Sequence, residues 1–379
     1  MSKKNIFIFA SDERSHREIV NVVFEIKKRD TFNYFYLYSN TVSPCFDVSN
    51  YNFDSNVEYK QEFLLKTFNF NLPFKPDIFL TTRDAWEPET SIIQELKIKD
   101  CIVCCVENSS WLYNNISTRL EILSRFQFPK NLIDAYFDHS QHTFKTKVDG
   151  GFIKHKTKIT GNPKYDNIIN SPITSAVGNK SVIFYGSCET NMRPKIIEKL
   201  NLVNSKTDVK IYYRPHPSEF AKFKDFPNVE LILLEEDLIK KIKECDFHVS
   251  IFSSVIYYPL IMNKNVVIID SKESGLMTDF ALESWNTAGR FDFWSKILKI
   301  KTWDEFCEKI DPNKIKAFYN NINKLYDYIK LNMIAFDDTL YWLDSKFNEN
   351  QKNVLALFDE FNDGKASNRI VDEIENLYD

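Results

Sequence analysis

Short apolar segments recur along this chain, and most are followed by residues whose apolar positions have helical spacing. In the first half, the apolar segments cover residues 5–10, 32–39, 76–83, 101–107 and 136–140. Buried strands that alternate with helices are typical of a parallel β-sheet with helices on both faces. The sequence therefore predicts an α/β fold. In such folds the ligand-binding residues follow the strands, at the carboxyl edge of the sheet.

The alternation of strand and helix patterns pauses near residue 170 and then starts again. Residues 170–180 are polar and contain Ser, Pro, Gly and Asn, which is typical of a linker between domains. Further apolar segments follow at 181–187, 209–215, 229–234, 246–252 and 265–270. We therefore predict two lobes, residues 1–168 and 169–330, and a mostly helical region, 331–379, that partly packs back on the first lobe.

Charge and cysteine content restrict the class of protein. The chain has 49 basic and 53 acidic residues, without a Lys/Arg block long enough for a nucleic-acid-binding stripe, so no nucleic-acid partner is expected. No apolar run approaches the ~18 residues of a membrane span. Seven cysteines, an odd number, fit a reducing compartment, and we expect a cytoplasmic protein. Cys101, Cys104 and Cys105 are interpreted as core residues of a strand.

Small and polar residues follow the strands of the second lobe. They are Gly186, Ser187, Arg214, His216, Pro217, Ser253 and Ser254. Hydroxyls and free N–H groups at a helix N-terminus can bind a phosphate, and a histidine between two prolines has little backbone freedom to lose. Each feature alone also has an ordinary interpretation: a helix cap for the Ser pair, a loop histidine for His216, an ion pair for Arg214.

Three segments resemble GT-B-fold transferases of bacterial surface polysaccharide synthesis. The segments are ITGNPKYD (159–166), YYRPHP (212–217) and CDFHVSIFSSVIYYPLIMNKNVVIID (245–270). The similarity is to enzymes that use cytidine nucleotides: CDP-glycerol glycerophosphotransferases, and sialyl- and Kdo-transferases with His-Pro and Ser-Ser motifs. It covers the region from Gly161 to Asp270 and, in the first lobe, only the general layout.

The resemblance implies two Rossmann-like lobes facing a cleft, with an activated donor bound in the second lobe. His216 and the Ser253/Ser254 pair would contact the donor phosphate, and Gly161, Asn162 and Asp166 would form the hinge. One position departs from the family: many relatives carry a carboxylate shortly after the Ser pair, where this chain has Tyr257 and Tyr258. Tyr258 can bond a ribose hydroxyl, but a tyrosine cannot accept two hydrogen bonds from a diol as a carboxylate does.

Candidates for a general base lie after the strands of the first lobe. An acceptor hydroxyl that attacks the donor must lose its proton, and His16, Asp84 and Glu87 are the side chains expected to take it. His16 has a second interpretation as a residue that caps the first helix. Metal ions and cofactors are not expected, because the acidic clusters at 235–237 and 337–338 lack ligand spacing.

The favoured interpretation is a metal-independent glycosyltransferase. It would transfer a sugar, such as Kdo or sialic acid, from a CMP- or other cytidine-activated donor to a glycan or lipid-linked acceptor of a capsule or lipopolysaccharide. Peripheral association with the inner membrane is compatible with that acceptor. Three alternatives stay open at this point: transfer of a polyol phosphate from CDP-glycerol, sugar-nucleotide 2-epimerisation, and a non-catalytic GT-B subunit that binds a partner enzyme.

Overall fold

The structure of the protein is a computed structural model. It describes residues 3–39, 57–60, 72–82, 88–107, 132–141, 144, 154–171, 181–186, 210–216, 229–233, 235–245, 247–250, 255, 257–262, 264–268 and 359–378. The chain divides into two compact units, which we call the first lobe (Met1–Asn170 with Leu355–Asp379) and the second lobe (Ser171–Val354). The predicted limit of the second lobe at residue 330 falls outside the described residues and stays a prediction.

The first lobe is built on a parallel sheet, which has seven strands among the described residues. They are β1 (Lys4–Ala10), β2 (Phe32–Ser39), β3 (Val57–Lys60), β4 (Ile78–Thr81), β5 (Ile102–Val106), β6 (Ala135–Asp138) and β7 (Thr157–Ile159). Their spatial order is β3-β2-β1-β4-β5-β6-β7. β1 is central and pairs with β2 on one side and β4 on the other, for example Phe7 with Phe35 and Phe79.

Helices of the first lobe follow the strands. Three of its described helices are α1 (Glu13–Arg29), α2 (Glu89–Ile98) and the single turn α3 (Asp166–Ile169), with 3-10 turns at Lys154–Lys156 and Pro163–Tyr165, and a further helix lies near the C-terminus. The helical spacing of the sequence predicts a loop through His16 and a helix start at about residue 17, whereas α1 begins at Glu13, because Asp12 is its N-cap and accepts a hydrogen bond from Ser15 N (2.8 Å). The predicted loop through His16 is therefore wrong, and His16 lies in the first helical turn.

The second lobe has a smaller parallel sheet. Its described strands are β8 (Ser181–Tyr185), β9 (Lys210–Arg214), β10 (Glu230–Leu231), β11 (Phe247–Ser250) and β12 (Asn265–Ile268), in the order β10-β9-β8-β11-β12. Its described helices are α4 (Glu235–Glu244) and α5 (Tyr257–Ile261). Both sheets are parallel throughout their described strands, as the alternation of patterns predicted.

Alternate residues of β1 enter two different cores. Ile6 and Ile8 face a cluster that includes α1 residues and the C-terminal helix α6 (Ala366–Asn376), whereas Phe7 and Phe9 face a cluster that includes α2. Burial on both faces is the reason that the strand sequence is continuously apolar. Cys104 and Cys105 of β5 are likewise buried, one in each cluster, as predicted. None of the described helices is long and apolar enough to cross a bilayer.

Candidate functional site

Each sheet contains a point where the chain reverses its direction of progress across the sheet. In the first lobe it lies between β1 and β4, because β2 and β3 are on the opposite side of β1. In the second lobe it lies between β8 and β11, because β9 and β10 are on the opposite side of β8. Ligands of open parallel sheets bind at the carboxyl ends of strands beside such points. The residues that follow these four strands are therefore the first candidates for a site.

Gly186 lies directly beside the reversal point of the second lobe. It follows β8, is buried, and its N–H donates to Arg214 O at the end of β9 (2.8 Å). This bond extends the β8–β9 ladder by one residue past the end of the strand. The predicted partner Ser187 lies outside the described residues, as do Pro217, Ser253 and Ser254. Their contacts with a donor stay a prediction.

Arg214 uses part of its guanidinium for the lobe itself. The side chain is buried, and Nη1 donates to the backbone oxygens of Ile232 (2.9 Å) and Leu233, directly after β10. These bonds fix the chain that leaves the edge strand. The alternative to donor binding was a structural ion pair; the bonds of Nη1 are structural, but their partners are backbone oxygens, and donor binding by Arg214 stays a prediction.

His216 stands at the carboxyl edge of β9, after Pro215. Its side chain is half-buried, and loss of water lowers its pKa below the usual value, with a further contribution from the positive charge of Arg214. The imidazole is therefore neutral at neutral pH, with one N–H to donate and one nitrogen to accept. A partly exposed neutral imidazole beside a strand end can donate to a phosphate oxygen. That contact stays a prediction.

Tyr258, the predicted ribose contact, lies in α5. Only 4% of the residue is exposed. The backbone oxygen accepts from Met262 N (3.1 Å), at the end of this helix. The helix thus holds the backbone of Tyr258 in place, and the ribose contact itself stays a prediction.

A buried Tyr–His pair links two strands of the second lobe near its carboxyl edge, and it was not identified from the sequence. Tyr185, the last residue of β8, and His248 of β11 are both fully buried, and Oη and Nδ1 form a hydrogen bond (2.9 Å). Burial lowers the pKa of His248 to about 3, so the ring is neutral. The bond joins the two strands that flank the reversal point. The histidine within the apolar segment 246–252 is the sequence feature that could have indicated this pair.

His16 has the environment of a core histidine. It is fully buried in α1, Nδ1 forms a hydrogen bond with Tyr36 Oη (2.6 Å), and the ring stacks on Tyr38 with centroids 4.6 Å apart. Burial, and secondarily the charge of Arg17, lower its pKa to about 3. A ring enclosed in this way is poorly placed to meet an acceptor hydroxyl, although its role as the base stays a prediction. Asp84 and Glu87 lie outside the described residues.

Ser11 and Glu89 meet at the reversal point of the first lobe. Ser11 follows β1, Glu89 is the first residue of α2, and the Ser11 hydroxyl donates to Glu89 Oε1. Glu89 is fully buried. The pair ties the loop after β1 to the helix that follows β4. Glu89 was not identified from the sequence. Its position after Pro88, at the start of a helix, is the feature that could have indicated it.

Further along the same edge, buried polar residues follow β5, β6 and β7. Glu107 and His139 are almost completely buried, and the Asn162 amide donates to His139 Nδ1 (3.2 Å). In a neutral ring this places the proton on Nε2, which lies 4.0 Å from Glu18 Oε2. Glu18 in turn forms an ion pair with Lys164 (3.3 Å). The network joins α1 to the predicted hinge.

The three predicted hinge residues contact other parts of the first lobe. Gly161 has φ +89°, a conformation that favours glycine, and a Cβ atom there would lie 2.7 Å from Asp359 Oδ1. Asp166 accepts hydrogen bonds from Ala366 N (3.0 Å) and Ser367 N (2.7 Å) at the start of α6. Together with Asn162 they lie where the chain approaches the boundary after Asn170.

No set of three or more His, Cys, Asp and Glu side chains with the geometry of a metal site occurs in the part of the chain that the structure describes. The fold and the two strand edges are therefore the features to compare with known proteins.

Comparison of sequences finds no relative: no family model and no curated protein matches this chain. Solved structures do match it over almost the full length. MnaA of S. aureus with UDP has a TM-score of 0.58 and 14% identity and covers 100% of this chain and 97% of its own. The UDP-GlcNAc 2-epimerase of Neisseria meningitidis bound to UDP-GlcNAc has a TM-score of 0.56 and 12% identity, with coverages of 99% and 100%.

The wall teichoic acid polymerase TagF, soaked with CDPG, is also similar. Its TM-score is 0.57 at 12% identity, and the match covers 99% of this chain and 88% of TagF. At such identities the likeness establishes the fold. The predicted fold class, two Rossmann-like parallel-sheet lobes of the GT-B type, is confirmed.

Proposed function

We propose that this protein is an enzyme that acts on a nucleotide-activated donor bound at the carboxyl edge of the second sheet. The observation that carries the proposal is His216, a neutral, half-buried imidazole that follows β9 on a stiff X-Pro segment. Similar folds hold UDP, UDP-GlcNAc and CDPG, according to their descriptions. These ligands share a nucleotide phosphate, which is the group that His216 and the Ser253/Ser254 pair would bind.

Glycosyl transfer is the reaction we favour. The acceptor hydroxyl attacks the anomeric carbon of the donor sugar, the bond from that carbon to the donor oxygen breaks, and the nucleotide leaves with the bonding electrons. A base in the first lobe takes the hydroxyl proton. Hydrogen bonds from His216 and the Ser pair stabilise the negative charge that develops on the leaving phosphate. A cytidine-activated donor and a capsule- or lipopolysaccharide-type acceptor are part of this proposal.

The base is proposed to be a carboxylate, Asp84 or Glu87, in preference to His16. His16 is fully buried and its pKa is lowered to about 3, which makes it a weak base enclosed by core residues. Both carboxylates belong to the segment between β4 and α2, beside the reversal point of the first sheet.

Two other reactions have an observation in their favour. Transfer of a polyol phosphate from CDP-glycerol, in which the hydroxyl attacks phosphorus and CMP leaves, is favoured by the likeness to TagF. Epimerisation at C2 of a UDP-sugar is favoured by structures described as UDP-N-acetylglucosamine 2-epimerases, because the match covers 97–100% of those chains against 88% of TagF. The non-catalytic subunit stays an alternative that the assay below tests.

The first experiment is thermal unfolding of the protein with UDP, UDP-GlcNAc, CMP, CDP and CDP-glycerol. A compound that binds only the folded protein raises the melting temperature in proportion to the logarithm of its excess over Kd. A shift with at least one nucleotide is expected, and no shift with any of them would contradict the donor site.

The nucleotide that binds then selects the reaction assay. Release of CMP or UDP that depends on an added acceptor indicates transfer, whereas a C2 epimer formed without acceptor indicates the epimerase. Binding of a nucleotide without turnover of any activated compound would favour the non-catalytic subunit.

A further inference from the structure

Two stretches of the first lobe lie at its connections to the second lobe, and they are bound to each other. The chain leaves the first lobe after Asn170 and returns to it at Leu355. Asp166 caps α6 through Ala366 N and Ser367 N, Asn170 Nδ2 donates to Gly364 O (2.9 Å), and Arg369 Nη1 donates to Thr160 O (3.2 Å). We call residues 160–170 the outgoing segment and residues 359–369 the returning segment.

Asp359 is the buried centre of the contact between these segments. It is 1% exposed, and Oδ1 accepts hydrogen bonds from Phe361 N (3.1 Å) and Asn362 N (3.0 Å) of its own turn. The same oxygen fills the space beside Gly161, where no side chain fits. A carboxyl group thus occupies the interface between the outgoing and returning segments.

The charges around Asp359 do not neutralise it. Asp166 adds a negative charge from the outgoing segment, while Arg369 is paired with Asp363 and Lys164 with Glu18. His139 is bonded to Asn162, and Glu360 is exposed and accepts from Gln141 N (2.7 Å). Among the described residues, no Lys or Arg forms an ion pair with Asp359. A buried carboxylate without a cationic partner is costly to ionise.

We propose that Asp359 is a proton-dependent latch: uptake of one proton by its carboxyl tightens the contact between the outgoing and returning segments. The contact is the first-lobe end of both connections between the lobes, so protonation restrains the chain where the lobes are joined. Because the latch rests on geometry within the first lobe alone, it holds whatever reaction the protein catalyses.

The sign of the effect follows from the pKa of Asp359. Burial raises it from 3.8 to about 6 against the opposing effect of the N–H groups of Asn362, Phe361 and Asn162, which favour the carboxylate, and the negative charge of Asp166 adds to the rise. Between these two pH values, the state in which the two segments are in contact therefore binds more protons than the state in which they are apart. The contact between the outgoing and returning segments is strongest below pH 4 and weakens as the pH rises to about 6. Above that pH the stabilisation from protonated Asp359 is lost.

Hydrogen exchange of the α6 amides tests the latch in the full-length protein. Protection factors of residues 366–376, relative to those of β1, are expected to be about tenfold higher at pH 5 than at pH 7.5. In Asp359→Asn, which keeps an oxygen acceptor and cannot ionise, the protection should not change with pH. Glu360→Gln removes a neighbouring exposed carboxylate and should keep the tenfold response.

Two results would overturn the latch. One is a wild-type α6 whose relative protection does not rise on acidification, and the other is an Asp359→Asn variant that keeps the wild-type response. If Asp359→Asn does not fold, Asp359→Ser provides the same test with a smaller side chain that also lacks a titratable group.

Discussion

Burial sets the protonation state of three histidines, His16, His216 and His248. His16 and His248 are fully buried, and loss of water brings the pKa of each to about 3, while the pKa of half-buried His216 is also lowered. The two fully buried imidazoles are neutral core residues that form hydrogen bonds, His16 with Tyr36 and His248 with Tyr185. His216 differs because its side chain is only half-buried.

Replacement of His216 by Ala should weaken nucleotide binding by roughly ten- to a hundredfold. Hydrogen bonds to charged groups contribute about 1.5–3 kcal/mol, and 1.4 kcal/mol corresponds to a factor of ten. Calorimetric titration with the nucleotide that raises the melting temperature gives the measurement. The loss should be absent for the bare nucleoside, which has no phosphate.

His155→Ala is the matched control for this substitution, because His155 is exposed and lies in the first lobe. It should leave nucleotide affinity unchanged. Equal affinity of wild type and His216→Ala, with the fold intact, would remove the phosphate contact from this edge.

Gly161→Ala should destabilise the first lobe by about 1–3 kcal/mol. The residue has φ +89°, which costs an L side chain conformational energy, and the new Cβ would overlap Asp359 Oδ1 at 2.7 Å. Urea unfolding followed by circular dichroism measures the loss.

The two causes of this cost can be separated with Asp359→Ala. In that background the overlap with Oδ1 is gone, so Gly161→Ala should cost clearly less, because only the backbone conformation and a 3.2 Å contact with Ala366 Cβ remain. A cost that is the same in both backgrounds would show that the side-chain overlap does not contribute.

At the scale of elements, the N-terminus of α1 sets which residues are helical and which belong to the β1–α1 loop. Asp12 ends the loop after β1 by accepting from Ser15 N, and Lys27, Lys28 and Arg29 stabilise the other end of the helix dipole. This places Ser15 and His16 inside the lobe, and leaves Ser11 and Asp12 as the described residues of the β1–α1 loop.

Asp12→Ala should lower the stability of the protein by about 0.5–2 kcal/mol, the usual cost of losing an N-cap. Asp12→Ser retains an oxygen at the cap position and should recover most of that loss. Thermal or urea unfolding of the three proteins provides the comparison. An Asp12→Ala protein as stable as wild type would show that the cap adds nothing to α1.

At the scale of the whole molecule, the last helix completes the core of the first lobe. Ile370, Val371 and Ile374 of α6 are fully buried in one cluster with α1 and β1, although about 350 positions separate them from these elements in the sequence. Arg29 adds contacts to Asp372 (2.6 Å) and Asn368 O (3.0 Å).

Ile370→Ala should therefore destabilise the first lobe by about 2–5 kcal/mol, the range for truncation of a buried large aliphatic side chain. Hydrogen exchange should show faster opening of β1, with a smaller change in β8 of the second lobe. Leu377→Ala, at a site that is 38% exposed, is the control and should cost less than ~1 kcal/mol. Equal protection of β1 in both variants would contradict the role of α6 as part of this core.

Among the described strands, sequence patterns predicted those that are apolar on both faces and missed one at each edge of the first sheet. β1, β5 and β8 are continuous apolar segments because helices or neighbouring elements cover both faces. β3 and β7, at the two edges of the first sheet, have the sequences VEYK and TKI, where polar residues interrupt the pattern. An edge strand is recognised from its ladder of hydrogen bonds, which the sequence does not display.

Local periodicity and the order of elements were enough to predict the two-lobed parallel fold and the strand edges expected to bind a ligand. The neighbours of each polar residue, in contrast, depend on how segments distant in sequence pack together. His16 became a core residue, Arg214 a donor to backbone carbonyls, and Asp166 the cap of a helix 200 positions away. Partners so distant in sequence are selected by packing, and packing also sets the burial that fixes the charge of a side chain.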